Sequence, residues 1–210
     1  MEMLLVMIRI IAGQYRSRQL KTPDDAQHTR PYAHRVKESV FNILRGHIEG
    51  ANVLDLFSGV GSMGLESLSR GAERVLMVEQ DRRIFKLLES NVEMLNCGDR
   101  ADLLCGDALG SVAILRAPRP IRVAFVDPPF KMMEAESTRV RVLQQIQRLA
   151  PLLAEDAIIV LRTPLDSEEV DLRIEGLAGP EAHRHRRNHE VMLYGPEQSA
   201  SAQIEDRHGV

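Results

Sequence analysis

Four consecutive residues, Asp127-Pro128-Pro129-Phe130, place a carboxylate, two imide carbonyls and an aromatic ring at the end of the apolar run Ile121–Val126. Proline fixes φ and lacks an N–H, so the carbonyls of this turn are rigidly placed and free of a competing donor. A carboxylate beside such a carbonyl can accept both N–H bonds of an exocyclic amine. The lone pair of that amine is delocalised into its base, which makes it a poor nucleophile. Two acceptors on its hydrogens favour a pyramidal nitrogen and stabilise the positive charge that develops as it attacks a methyl group. In this reading Asp127 and the Pro128 carbonyl hold the amine, and Phe130 stacks on the base. The bland alternative is an Asp-Pro turn after a strand.

A second group lies upstream. Asp55-Leu-Phe57-Ser-Gly59-Val-Gly61-Ser-Met-Gly64 sits between an apolar run and a helical pattern. Glycines at such a turn let the backbone approach a ligand, and the helix N-terminus offers free N–H groups. Gly59 to Gly64 matches the dinucleotide pattern GxGxxG, which alone is a weak signal. Three carboxylates sharpen it. Glu79 ends the next apolar run and can accept both hydroxyls of a ribose. Asp107, beside Ala108, follows a third and can accept from an adenine amine. Asp55 stands too close to the glycines for a pyrophosphate but suits the ammonium of an amino acid. Adenine, ribose and amino acid together describe S-adenosylmethionine, with Phe57, Gly59, Gly61 and Ala108 completing the candidate site. The alternatives are a tight turn with ordinary capping carboxylates, or a nicotinamide dinucleotide.

These residues must be held by a framework, and composition bounds it. The chain has 210 residues, 44% hydrophobic and 27% charged, enough for one domain with a full core. Trp is absent and aromatics make up 4%, which disfavours a surface that stacks many bases. No segment reaches the roughly 18–20 apolar residues of a membrane span. The run Met3–Ile8 is short, is cut by Arg9, and follows Glu2 where a signal peptide carries positive charge. A cytoplasmic, non-exported protein is expected. Cys97 and Cys105 form no CxxC pair, so two buried, reduced thiols are expected and a zinc site is not. Net charge is −3, unevenly spread. Residues 1–48 hold eight Lys or Arg against four Asp or Glu, whereas residues 49–182 hold 15 against 22. A basic end on an acidic body suggests an arm for a polyanion, with a solvated charged surface as the alternative. The arm's candidate contacts are Arg9, Arg16, Arg18, Arg30 and Arg35.

Periodicity predicts two short strands between Met7 and Lys21, with too little apolar content for a core element. It predicts a helix from Ala33, with Val36, Val40, Leu44 and Ile48 at four-residue spacing. Strands are then expected at Asn52–Phe57, Arg74–Glu79, Ala101–Cys105, Ile121–Val126 and Ala157–Leu161. Helices are expected at Ser62–Arg70, after an Asp81 N-cap, at 108–116 and at Thr138–Leu153. Val170–Ile174 and Glu190–Tyr194 read as two more strands. Alternating strands and helices, with nearly all-apolar strands, predict an α/β fold: a Rossmann-like, mostly parallel sheet covered by helices on both faces.

With both motifs placed, the chain resembles the class I S-adenosylmethionine-dependent amino-methyltransferases. Ile8-Arg-Ile-Ile-Ala-Gly13, Arg30-Pro31 and Arg35-Val-Lys-Glu38-Ser-Val-Phe41-Asn42-Ile-Leu44 narrow the resemblance to the RsmD family, over roughly residues 7–195. The resemblance implies methylation of a guanine N2 amine in small-subunit (16S) ribosomal RNA, free or partly assembled into a subunit. It implies a seven-stranded sheet with an N-terminal hairpin that touches RNA. Asp127 and Phe130 would act on a flipped base, while Asp55, Gly59, Glu79 and Asp107 hold the cofactor. The expected organisation is an N-terminal extension (1–32), a methyltransferase domain (33–195) and a polar tail (196–210), acting as a monomer with no metal and no membrane. Three features depart from the pattern. Residues 1–6 precede the usual start, which makes Met7 a candidate initiator. Arg162 stands where an acidic or neutral residue is expected. The stretch His183–His189 is unusually basic, either a solvated loop or a further RNA contact; metal binding there lacks carboxylate or Cys company. Competing readings are a DNA or protein-amide amino-methyltransferase, an NAD-dependent oxidoreductase, for which no catalytic Tyr-Lys or His is found, and a non-catalytic RNA-binding subunit.

Overall fold

The computed structural model describes residues 8–23, 34–166, 168–185 and 189–197. In chain order the elements are α1 (His34–Ile43), β1 (Asn52–Leu56), α2 (Ser62–Ser69), β2 (Arg74–Glu79), α3 (Arg82–Leu95), β3 (Ala101–Cys105), α4 (Ser111–Arg116), β4 (Ile121–Val126), α5 (Phe130–Glu134), α6 (Glu136–Gln147), β5 (Leu153–Thr163), β6 (Leu177–His185) and β7 (His189–Pro196). The strands form one seven-stranded sheet in the order β3-β2-β1-β4-β5-β7-β6. From β3 to β5 neighbours run parallel; β7 is antiparallel to β5, and β6 to β7.

Strand side chains alternate between two cores. Val53, Val75, Met77, Val123 and Phe125 join one, with residues of α1, α2 and α3. Leu54, Leu56, Leu76, Val78, Ala124 and Val126 join the other, with residues of α4 and α6. Burial of both faces is why these strands read as unbroken apolar runs rather than alternating ones. β3 is an edge strand, and there burial weakens: Cys97 is buried as expected, but Cys105 is exposed, which corrects the expectation of two buried thiols. Asp81 caps α3 by accepting from the Arg83 and Ile84 N–H groups at 2.7 and 3.3 Å.

The expected N-terminal strands are reduced to a single antiparallel bridge, Arg9 to Gln19. Some of the backbone donors of this segment reach α2. Ile11 and Ala12 donate to the Glu66 carboxylate at 2.7 and 3.0 Å, and Gln14 donates to the Ser69 carbonyl at 2.7 Å. The segment bonds to α2 as well as to itself, where Ile10 and Leu20 donate to the Arg18 and Ile8 carbonyls at 3.0 and 2.9 Å. Gly13, at φ 81°, lies so close to α2 that a Cβ would stand 1.8 Å from the Ser69 carbonyl oxygen. Ile10 and Leu20 are 1% and 2% exposed, so this segment is a core element despite its polar composition.

Glu66 is the hub of that docking. Besides the two backbone donors, it pairs with Lys37 Nζ at 2.9 Å and Arg70 Nε at 2.8 Å. Lys37 also donates to the Arg9 carbonyl at 3.1 Å. Burial holds the Lys37 ammonium below its usual range, with Glu66 pulling it back up.

Two further expectations are corrected at the C-terminal side. Residues 171–174 are not a strand, although Leu172 and Ile174 are buried in the second core. The strand is instead β6, which contains Gly179-Pro180 and a register shift between Ala178 and Glu181. An edge position tolerates proline because one side of the strand forms no ladder, and local patterning cannot reveal which strand will lie at an edge. The basic stretch is not simply a loop: His183 to His185 end β6 and His189 opens β7. The C-terminal tail from residue 198, Arg30-Pro31 and residues 1–7 lie outside the described residues.

Candidate active site

Parallel pairing brings the carboxyl ends of β1, β2, β3 and β4 to one edge of the sheet. Leu56 is level with Val78 and Val126, and Glu79 with Cys105. Strand order reverses between β1 and β4, and open α/β sheets form a crevice at such a point. A cleft of about 560 Å³ lies there. Asp55, Phe57, Gly59, Glu79, Ala108, Asp127, Pro128 and Phe130, eight of the ten residues proposed from sequence for the cofactor and the base, line it.

The other two, Gly61 and Asp107, are not among its lining residues. Gly61 precedes α2 at φ 90°, and a Cβ there would meet Leu88 and Leu65 side chains at 2.6 and 2.8 Å, so its glycine serves packing. The Asp107 carboxylate accepts from the Leu109 N–H at 2.9 Å and is half exposed, while its neighbours Gly106 and Ala108 face the cleft. Arg9, Arg16, Arg18 and Arg35 are exposed, and Arg30 lies outside the described residues.

Glu79 shapes the glycine loop directly, accepting from the Gly59 N–H at 3.0 Å and the Asp81 N–H at 2.7 Å. Burial raises its carboxyl above the usual range while those bonds pull it down. Phe57 turns the chain at φ 63°, an unusual conformation for an aromatic residue, and the Ser58 N–H then bonds back to the Val78 carbonyl at 2.9 Å.

Asp55 is buried and accepts from the Gly64 N–H at 2.9 Å. Burial pushes its carboxyl up from 3.8 to about 8; the Gly64 bond opposes the rise, and the neighbouring charges of Asp127 and Glu79 add to it. A cation set against this carboxyl would favour its ionised form. Binding of S-adenosylhomocysteine near neutral pH is therefore expected to release protons. The measurement is the dependence of calorimetric enthalpy on buffer ionisation enthalpy, and Asp55→Asn should remove the released fraction. Equal proton release by both proteins would mean that no cation of the ligand faces Asp55. Stability carries the matching sign. The raised carboxyl contributes most below its ordinary value of 3.8 and loses that contribution as pH rises through about 8. Asp55→Asn should thus gain in Tm over the native chain as pH rises.

Asp127 is met by Arg162, whose Nε and Nη2 donate to Oδ1 and Oδ2 at 2.6 and 2.8 Å. Burial raises the Asp127 carboxyl above its usual range, and Arg162 pulls it back. The arginine also lies 5.3 Å from the centroid of the Phe130 ring, and His189 faces that ring at 6.3 Å between centroids.

Several lining residues were not foreseen: Ile8, Thr22 and Pro23 from the N-terminal segment, and Ser62. Their placement depends on the docking onto α2, which leaves no local signature. Ser62 opens α2, is 8% exposed, and its Oγ is buried with no hydrogen-bond partner among the described residues. An orphaned hydroxyl at a helix N-terminus facing a cleft suits a ligand carboxylate. Together with the carboxylates of Asp55 and Glu79, it makes a donor and acceptor set that fits S-adenosylmethionine. Among the described residues no group of three or more His, Cys, Asp or Glu could hold a metal ion, and no helix is long and apolar enough to cross a membrane.

The family model described as Conserved hypothetical protein 95 matches residues 8–194. The chain is 34% identical over 183 residues to the Ribosomal RNA small subunit methyltransferase D of Escherichia coli (strain K12), covering 84% of this chain and 88% of that one. It is 34% identical over 160 residues to the Haemophilus influenzae protein of the same name, covering 76% and 80%. Among solved structures it resembles the "Putative methyltransferase yhhF from Escherichia coli", with a TM-score of 0.75 and 30% identity over 92% of this chain and 99% of that one.

Proposed function

The chain belongs to the family described as Conserved hypothetical protein 95, the RsmD family, and from that premise we propose that its target is the exocyclic N2 amine of a guanine. The enzyme is an S-adenosylmethionine-dependent methyltransferase of small-subunit (16S) ribosomal RNA. The observation that carries the finer reading is the Asp127 carboxylate at the end of β4, in the same cleft as the glycine loop and Glu79.

When bound, S-adenosylmethionine supplies a methyl group activated on a sulfonium sulfur. Asp55 would face its ammonium, Ser62 and the α2 N-terminus its carboxylate, Glu79 its ribose hydroxyls, and Asp107 with Ala108 its adenine. Asp127 and the Pro128 carbonyl accept the N–H bonds of the target amine and stabilise its developing charge. Phe130 holds the plane of the base. A carboxylate acceptor favours guanine over adenine. Beside its amine guanine carries a second donor, N1–H, whereas adenine would turn a lone pair toward the carboxylate.

The test is methyl transfer from labelled cofactor to 16S ribosomal RNA and to small subunits, followed by mapping of the modified base. Label on N2 of a single guanine is expected. Label on an adenine, on DNA or on protein would sink the assignment.

The N-terminal segment is the proposed RNA contact. Ile8, Thr22 and Pro23 line the cleft, so the exposed Arg9, Arg16 and Arg18 lead away from its rim. Such residues read phosphate and shape. Reversing the charge of Arg16 and Arg18 should weaken RNA binding and lower the salt slope by roughly one per lost phosphate contact. Affinity for S-adenosylhomocysteine should not change. An RNA salt slope equal to that of the native chain would leave the segment a purely structural element.

A further inference from the structure

The parallel register of β4 and β5 pairs Val126 with Leu161. The next residues along the two strands, Asp127 and Arg162, are therefore side by side at the carboxyl edge. Their contact is a planar fork on a planar carboxylate, with both nitrogens in range and side-chain exposures of 9% for Arg162 and 16% for Asp127. We infer that Arg162 is a positioning residue for methyl transfer: its bidentate pair with Asp127 fixes the plane and the charge of the carboxylate that receives the target amine. The inference rests on the assignment of Asp127 to that amine.

Three physical points support it. A bidentate guanidinium leaves the carboxylate one orientation, whereas a single hydrogen bond would leave it a hinge. Each carboxylate oxygen keeps a second lone pair, so the pair does not exhaust Asp127 as an acceptor. A buried carboxylate without a cation tends to hold a proton, and a protonated oxygen offers the amine a donor where an acceptor is needed. The same guanidinium leans on Phe130, so one side chain contacts both groups assigned to the base.

The charged and titratable surroundings of Asp127 are mixed. Asp55 on β1 adds negative charge and is itself influenced by Glu79 on β2 and Lys37 on α1. Lys131 and Glu134 on α5 line the cleft. On β7, His189 faces Phe130, and Glu190 pairs with Arg184 of β6 at 2.7 Å. Arg162 is the cation in direct contact with the carboxylate.

The first arm of the test needs no turnover. Thermal unfolding of R162Q, D127N and R162Q/D127N is followed from about pH 5 to about pH 9. R162Q leaves a buried carboxyl whose folded proton affinity exceeds the unfolded one, so its stability should fall as pH rises. The double variant should lose that slope. The second arm measures kcat and KM for methyl transfer to 16S ribosomal RNA over the same range. In R162Q the acid limb of kcat should move up by about one pH unit or more, and kcat at neutral pH should drop about tenfold or more. KM for S-adenosylmethionine should hold. R162K keeps the charge and loses the fork, so its unfolding profile and its limb should stay near those of the native enzyme while kcat falls; if R162Q does not fold, R162K at the native kcat overturns the inference. In the D127N background R162Q should have no further effect on kcat.

Profiles of R162Q that superimpose on those of the native enzyme in both arms overturn the inference, as does a loss of kcat that persists undiminished in the D127N background. If the native enzyme methylates no ribosomal RNA, or D127N does so at the native rate, the functional reading falls instead. The unfolding arm still decides whether Arg162 holds the charge.

Discussion

Asp127→Asn lowers methyl transfer to ribosomal RNA by about 10²–10³-fold, the usual consequence of losing one preorganised charge-stabilising group. Affinity for S-adenosylhomocysteine stays within about threefold, because the groups assigned to the cofactor stand on β1, β2 and the loops after β1 and β3. Asparagine is the informative replacement. It keeps the volume and one oxygen for Arg162, whereas alanine would leave a buried guanidinium with its carboxylate partner gone, which costs about 3–5 kcal/mol and confounds rate with folding. An amide also turns a donor toward the amine where the carboxylate offered an acceptor. The loss should thus appear in kcat, not in the KM for cofactor. Single-turnover rates on ribosomal RNA, with calorimetry on the same preparation, make the check. Native turnover in Asp127→Asn would refute the mechanism.

Glu66→Ala destabilises the fold by about 3–5 kcal/mol, and Lys37→Met by much less. The asymmetry comes from what each change strands. Removing Glu66 leaves the Lys37 ammonium, 2% exposed, without its anion, and takes the acceptor from the Ile11 and Ala12 N–H groups and from Arg70. Removing the Lys37 amine leaves Glu66 with Arg70 and two backbone donors, and a flexible apolar chain fills the space. The pH dependence has a definite sign. The Lys37 ammonium already sits below its usual 10.5 because of burial, and without Glu66 it falls further. Folding then releases a proton, so Glu66→Ala should regain stability as pH rises from neutral toward that value. Because Ile8, Thr22 and Pro23 share the cleft wall, the same variant should also lose RNA affinity through undocking of the N-terminal segment. Chemical denaturation at two pH values checks the two stability claims, and an RNA titration checks the third. Equal losses for Glu66→Ala and Lys37→Met would mean that the pair acts as a symmetric salt bridge rather than as an anchor for the backbone.

Much of the framework was legible locally. The limits of Arg74–Glu79, Ala101–Cys105 and Ile121–Val126 follow from largely apolar runs closed by polar, glycine or proline residues, and the structure places strands at those limits. Asp81 was legible as a cap because its carboxylate serves N–H groups only two and three residues on. The β6 strand was not. Val170 and Ile174 carry stronger strand propensity than a segment holding Gly179-Pro180, and edge position overrode that preference. Arg162 could be singled out as unexpected for its position, but its partner was invisible until the β4–β5 register placed the two side by side.

By itself, the order of residues determined the chemistry on offer: a carboxylate and two imide carbonyls beside a ring, a glycine loop flanked by carboxylates, and an α/β alternation that carries both to strand ends. Those are local properties, set by dihedral restriction, periodicity and side-chain type over a few residues. Only the tertiary structure decided that Gly61 serves packing, that Asp55 is buried enough to hold its proton near neutral pH, and that the basic N-terminal segment hangs on Glu66 as part of the core. Each of these depends on desolvation or on contact between residues far apart in the chain. Burial and register are set jointly by every element that packs, so no window of sequence contains them.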